Sequence, residues 1–164
     1  IRGDEISIAV IDTSKKLGEE GQYIKYSGKQ TDLARETLEA RTEGKEIRHY
    51  YKDLKTKDGE VIPANLIITE LPPGHVQPFH VHDNVHELTK VDKGELIVVE
   101  DDILQENDLA GVKSKGELLK EGDMVIHDPN KRHTQANVSS AYTITTTIQA
   151  ARMPMESFTA DWKR

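Results

Sequence analysis

The sequence predicts an all-β chain, an antiparallel sandwich or barrel, on three observations. From Glu46 onward, short runs rich in β-branched residues recur along the chain. Clusters of Gly, Pro, Asn and Asp separate these runs, as turns between strands require. The alternation within them places chosen polar residues on one face of a strand. A length of 164 residues suits one domain with one core.

Taken in order, Ile6 to Ile11 is an apolar run, followed by a polar stretch to about Tyr23. Thr31 to Arg41 reads as a short helix capped by Thr31 or Asp32, with Leu33, Ala34, Thr37, Leu38 and Arg41 on one face. Residues 1–45 are expected to form an N-terminal extension of strand and short helix. The barrel is expected over residues 46–155 and a C-terminal tail over 156–164. Ile47 to Tyr51 opens the strand-like part, and Lys57-Asp58-Gly59-Glu60 signals a hairpin turn before the run Val61 to Leu71. Further strands are expected at Phe79 to His82, Val85 to Val91, Glu95 to Glu100, Met124 to His127, Thr134 to Val138 and Tyr142 to Ala150. Between Asp101 and Glu121, weak periodicity with Gly111 and Gly116 predicts a loop with a short strand near Leu118 and Leu119.

Composition narrows the function. The chain is 35% hydrophobic and 31% charged, which suits a globular protein and not a disordered one. A formal charge of −7 counts against nucleic acid or an anionic membrane, because affinity for phosphates comes from clustered Lys and Arg. No apolar run approaches the roughly 20 residues that cross a bilayer. Cytoplasmic placement is the default expectation, with a removed leading segment left open because the chain begins at Ile1. There is no cysteine, so a metal would have to be held by His and carboxylates.

Histidines concentrate in His80-Val81-His82-Asp83-Asn84-Val85-His86-Glu87. On a strand, residues two apart face the same way, so His80 and His82 can present imidazoles to one point. The bend at Asp83-Asn84 lets Glu87 return from the next strand. His133, after the turn Asp128-Pro129-Asn130-Lys131-Arg132, can supply a fourth ligand. Three imidazoles and a carboxylate suit one divalent transition-metal ion from Mn, Fe, Co, Ni, Cu and Zn, with Fe or Mn favoured only under the dioxygenase expectation below.

Gly74, His80, His82, Glu87 and Gly94 match in spacing the first motif of the cupin superfamily, which the chain resembles. Gly122, Pro129, His133 and Asn137 resemble the second motif, with Pro129 displaced by one position and Asn130 where a second glycine would stand. Asn tolerates the left-handed conformation better than most residues, so the turn can survive the exchange. The resemblance covers about Val61 to Ala150. It implies a double-stranded β-helix (cupin or jelly-roll) barrel, metal ligation by His80, His82, Glu87 and His133, and a tendency to dimerise.

Thr89 and Gln135 share strand parity with Glu87 and His133, so both are expected to point inward, where they line the substrate site or brace a ligand. His86 and His127 are secondary lining candidates, His86 weakened by its opposite parity to Glu87. The run Thr143 to Thr147 reads as β-propensity. His75 reads as structural, His49 as a strand-surface residue, and the acidic loop from Asp101 to Asp108 as solvated.

The leading expectation is a metal-dependent enzyme acting on a small organic molecule, a dioxygenase, with Glu87 also able to accept a proton. Alternatives are redox-neutral isomerisation, cyclisation or decarboxylation, and a non-catalytic metal- or ligand-binding role. The expected partners are a small-molecule substrate and a second copy of the chain, with neither nucleic acid nor membrane.

Overall fold

A computed structural model describes residues 6–12, 14–15, 19–51 and 54–151; the expected tail 156–164 lies outside them. The elements are β1 (Ile6–Ile11), β2 (Tyr23–Gly28), α1 (Ala34–Thr42), β3 (Glu46–Tyr51), β4 (Ala64–Leu71) and β5 (Val85–Lys93), then β6 (Leu96–Glu100), α2 (Leu109–Lys115), β7 (Glu117–Leu119), β8 (Met124–His127), β9 (His133–Ala136) and β10 (Thr143–Ala151). They build an antiparallel seven-stranded sheet, β2-β1-β3-β4-β10-β5-β8, and a three-stranded sheet, β7-β6-β9. The described residues are mostly β, as the strand patterning predicts, with two short helices, α1 and α2.

The stretch before Glu46 supplies two strands of the large sheet. β1 pairs with β2 on one side and β3 on the other, and all six of its residues are buried. Ile6, Ile8 and Val10 pack with Ile47, Leu33 and Ala40 beneath α1. Fully burying an Ile or Leu side chain contributes about 1.5–3 kcal/mol. That packing fixes α1, whose intrinsic tendency is weak at nine residues. Arg41 of α1 adds a paired contact to Glu70 of β4, Nε to Oε1 at 2.6 Å and Nη2 to Oε2 at 3.0 Å, and His49 Nε2 lies 2.8 Å from the same carboxylate.

Several expectations are corrected. The residue capping α1 is Leu33, with no side-chain cap; neither Thr31 nor Asp32 serves. Residues 109–115 form a helix and not a loop. Asp108 caps it by accepting from the Gly111 N–H at 2.9 Å, and Val112 anchors it in the core with Phe79, Ile97, Val99 and Leu104. Phe79 to His82 does not form a regular strand. The segment from Val76 to His80 touches β9 by isolated bridges at Val76–Ala136 and His80–His133, because Pro78 between them has no N–H to continue the ladder. The turn at Lys57 to Glu60 forms as expected, with Gly59 at φ 84° and the Thr56 N–H donating to the Glu60 carbonyl.

The register orders the inner face of the large sheet into rows. Glu87 stands opposite His127 on one side and Gln149 on the other, and Gln149 faces Asn65. The next row runs Thr89, Thr147, Ile67 and Tyr50. Beyond the polar rows lies an apolar end formed by Leu71, Val91, Leu96, Val98 and Leu119. On the outer face, Ile126, Leu88, Ile148, Leu66 and Tyr51 stand in one row across five strands.

Candidate metal centre

His80 and His133 face each other as an antiparallel bridge, with the His80 N–H donating to the His133 carbonyl at 3.0 Å and the reverse bond at 2.8 Å. His82 is held by its carbonyl, which accepts from the Asn130 N–H at 2.7 Å. Asn130 has φ 65°, so the left-handed turn expected of a glycine here is made by Asn. Arg132 secures the same turn. Its Nη1 donates to the Asp101 and Leu104 carbonyls, and its guanidinium lies 4.3 Å from the Phe79 ring centroid. Gly94 has φ 87°, and a Cβ there would sit 2.9 Å from Thr143 Oγ1, so the exit of β5 needs a residue with no side chain.

His80, His82, Glu87 and His133 are all buried, and one ligand atom from each lies within 4.8 Å of the others. An ion about 2.0–2.2 Å from each donor would set neighbouring donors about 3 Å apart and opposite ones about 4.2 Å apart. The group therefore needs only a small contraction to hold one. His80 Nδ1 donates to the Pro78 carbonyl at 2.8 Å and His133 Nδ1 to the Lys131 carbonyl at 2.7 Å. Each contact commits the ring hydrogen to Nδ1 and leaves Nε2 for a metal. Glu87 Oε2 lies 2.8 Å from His133 Nε2 and 3.9 Å from His82 Nε2, while its Oε1 accepts from Gln149 Nε2 at 3.2 Å.

The electrostatics suit metal binding. Burial alone would raise the pKa of Glu87, but the hydrogen bond and charge of His133, with His82 and His80 behind it, hold it far below the usual carboxylate range. Burial and the neighbouring His133 push His80 down, which keeps it neutral. Burial also acts to lower His133, and the contact with Glu87 outweighs it and raises this histidine.

Around the four, Thr89 and Gln135 point inward as their parity predicts. Gln135 Nε2 donates to Thr89 Oγ1 at 3.1 Å, and Thr89 Oγ1 meets Thr147 Oγ1 at 3.0 Å. His127 is buried and stacked on His133, with Nδ1 2.7 Å from Glu100 Oε1. Burial lowers its pKa, the adjacent His133 lowers it further, and Glu100 only partly offsets them. His86 lies on the exposed outer face, 3.1 Å from Asp128 Oδ1, because adjacent strand residues face opposite ways. His49 and His75 stand apart from the group, beside Glu70 and Glu46. Sequence reasoning missed Gln149 and Glu100. Gln149 shows only in the pairing of β10 with β5, and Glu100 only in the meeting of the two sheets at His127.

No protein-family model matches the chain, and no curated protein matches it. Solved structures do. An uncharacterized conserved protein with a double-stranded β-helix domain from Klebsiella pneumoniae is 18% identical at a TM-score of 0.51, covering 73% of this chain and 84% of that one. A sugar phosphate isomerase from a cupin superfamily, from Silicibacter pomeroyi, is 21% identical at a TM-score of 0.46, covering 71% and 65%. An oxalate oxidase structure is 20% identical at a TM-score of 0.44, covering 54% and 42%. This chain spans under half the length of that oxidase and just under two thirds of that isomerase. The Klebsiella match shows the fold.

Proposed function

Starting from a chain with the double-stranded β-helix fold of cupins, we propose that His80, His82, Glu87 and His133 hold one divalent transition-metal ion and that the protein is an enzyme acting on a small organic molecule. The observation that carries this reading is the convergence of three imidazoles and one carboxylate, all buried, on one point. A structural role would favour a closed site. Here four ligands leave up to two octahedral positions for substrate.

When bound, the ion supplies a Lewis acid and, if it is iron or manganese, a one-electron couple. The chain's own residues do the rest. Three neutral imidazoles and one carboxylate leave a bound dication with net charge +1 in a buried setting, which favours an anionic substrate such as an enolate or carboxylate. Gln149 holds Glu87 by its Oε1. Thr89, Thr147 and Gln135 offer a neutral wall of hydroxyls and an amide to substrate oxygens. We assign Glu87 the proton-accepting role as well, taken up when its carboxylate is released from the metal.

Iron- or manganese-dependent dioxygen chemistry is the reaction class we favour, since two positions free of protein ligands would admit an anionic substrate oxygen and dioxygen together. A second copy of the chain is the expected partner. Its best support is the partly exposed apolar row Ile126, Leu88, Ile148, Leu66 and Tyr51, of a kind monomers seldom leave open.

The test is elemental analysis of protein purified without chelator or His-tag beside a His80→Ala, His82→Ala double variant, then dioxygen uptake with a panel of enols, flavonols and diketones. About one equivalent of iron or manganese, lost in the variant, with uptake on any substrate, supports the reading. Equal turnover by the zinc-loaded form moves the function to redox-neutral chemistry, and no metal in the native protein overturns it.

A further inference from the structure

The proposed metal centre leaves one buried ring without a role. His127 is 1% exposed and shares the inner face with Glu87 through the pairing of β5 with β8. It lies flat against His133, with ring centroids 4.1 Å apart and planes 7° from parallel. Its Nδ1 is 2.7 Å from Glu100 Oε1. A carboxylate only accepts, so the ring hydrogen sits on Nδ1 and Nε2 carries a lone pair.

That Nε2 is buried and has no hydrogen-bond partner among the described residues. Glu100, at the end of β6, has a side chain 45% exposed. The two ring nitrogens project away from each other, so Nδ1 at the half-exposed Glu100 leaves Nε2 on the buried side of a ring stacked on His133. A buried acceptor with no partner among the described residues is costly, and a ligand that meets it explains its presence.

We propose that His127 contacts substrate, accepting through Nε2 a hydrogen bond from a hydroxyl that the substrate carries next to its metal-binding oxygen. The inference rests on the reading that the four ligands hold a metal, and it deepens that reading. The substrate class it selects is a small α-hydroxy acid or enediol, whose metal-binding oxygen and neighbouring hydroxyl oxygen are three bonds apart. A mere brace for the His133 ring would need the flat aromatic face of His127 and not the lone pair.

The test uses cobalt(II)-loaded protein, with ligand binding read from its visible absorption. The probes are lactate and 2-methoxypropanoate, which differ in the hydroxyl hydrogen. His127→Phe keeps a flat ring, and His127→Gln keeps an acceptor near the place of Nε2. The native preference for lactate is expected to fall at least threefold in His127→Phe and to return to within twofold of native in His127→Gln. A smaller fall in His127→Phe, with cobalt uptake intact, assigns His127 to bracing alone and overturns the proposal. Failure of the native protein to take up cobalt overturns the metal reading itself, and is seen before any ligand is added.

Discussion

Glu87 and His133, 46 residues apart in sequence, meet at 2.8 Å between Oε2 and Nε2, so each occupies the atom the other would give to a metal. Without metal, this contact raises the pKa of His133 and holds a hydrogen between the two groups. A metal must displace it. Binding is therefore expected to release a proton, and affinity is expected to weaken as pH falls and His133 retains its proton. Calorimetric titration of the metal-free protein with cobalt(II), in two buffers of different ionisation enthalpy, measures the number; zero release would contradict it.

Gln149 holds Glu87 from the far side through Oε1. Replacing it with Leu leaves all four ligands in place and removes the hydrogen bond that orients one of them. Metal affinity is expected to drop by about tenfold or more, as such supporting contacts do. Competition against a chromogenic chelator reads the change.

Asn130 takes φ 65° where its N–H ties the second-motif turn to the His82 carbonyl. Asn130→Gly is expected to be neutral or slightly stabilising, because glycine adopts this conformation freely. Asn130→Val is expected to cost about 1–2 kcal/mol or more and to disturb metal uptake as well. Thermal melting of the two variants side by side gives the comparison.

Glu70 binds Arg41 and His49 at the seam between α1 and the large sheet. Although burial acts to raise its pKa, the hydrogen bonds from His49 and Arg41 bring it down to about 2 from the ordinary 4.5. A carboxyl depressed in the folded state stabilises the fold fully above its unfolded pKa and loses that contribution as pH falls toward the folded value. The loss here runs from about pH 4.5 to about pH 2. Glu70→Gln is expected to cost about 1–3 kcal/mol at neutral pH and to flatten stability over that acid range. Urea unfolding at a series of pH values provides both numbers.

Ile126 is 61% exposed at the end of the outer apolar row. If two copies meet on this face, Ile126→Glu places a charge in a dry contact and shifts the protein toward monomer without touching the metal site. Sedimentation velocity of the native and variant proteins decides the matter, and a native monomer would remove the dimer from the reading.

Much of the site is legible in the spacing of His80, His82, Glu87 and His133, because strand parity and a single bend suffice to bring three of them together. Parity also places Thr89 and Gln135 inward. What spacing cannot carry is partnership between strands distant in sequence. Gln149 reaches Glu87 only because β10 inserts beside β5, and His127 reaches His133 only where the edge strand β8 meets the small sheet. The helix over 109–115 was obscured for a different reason. It buries Val112 alone and contains Gly111, so it has almost no periodic signal, and its start is set by Asp108. At Pro78 a run with strand composition failed to pair regularly, since one missing N–H outweighs β-propensity there.

β10 lies between β4 and β5 in the middle of the large sheet, yet it follows every other described strand along the chain. On the ribosome, β4 and β5 therefore emerge as two facing edges with a strand-wide gap between them, and Glu87 waits there with no neighbour on that side. The centre can be completed only after some sixty residues beyond Glu87 have left the exit tunnel, so the nascent chain carries open edges through most of its synthesis. Stalling within the β9–β10 connection would hold both edges open with every metal ligand already made.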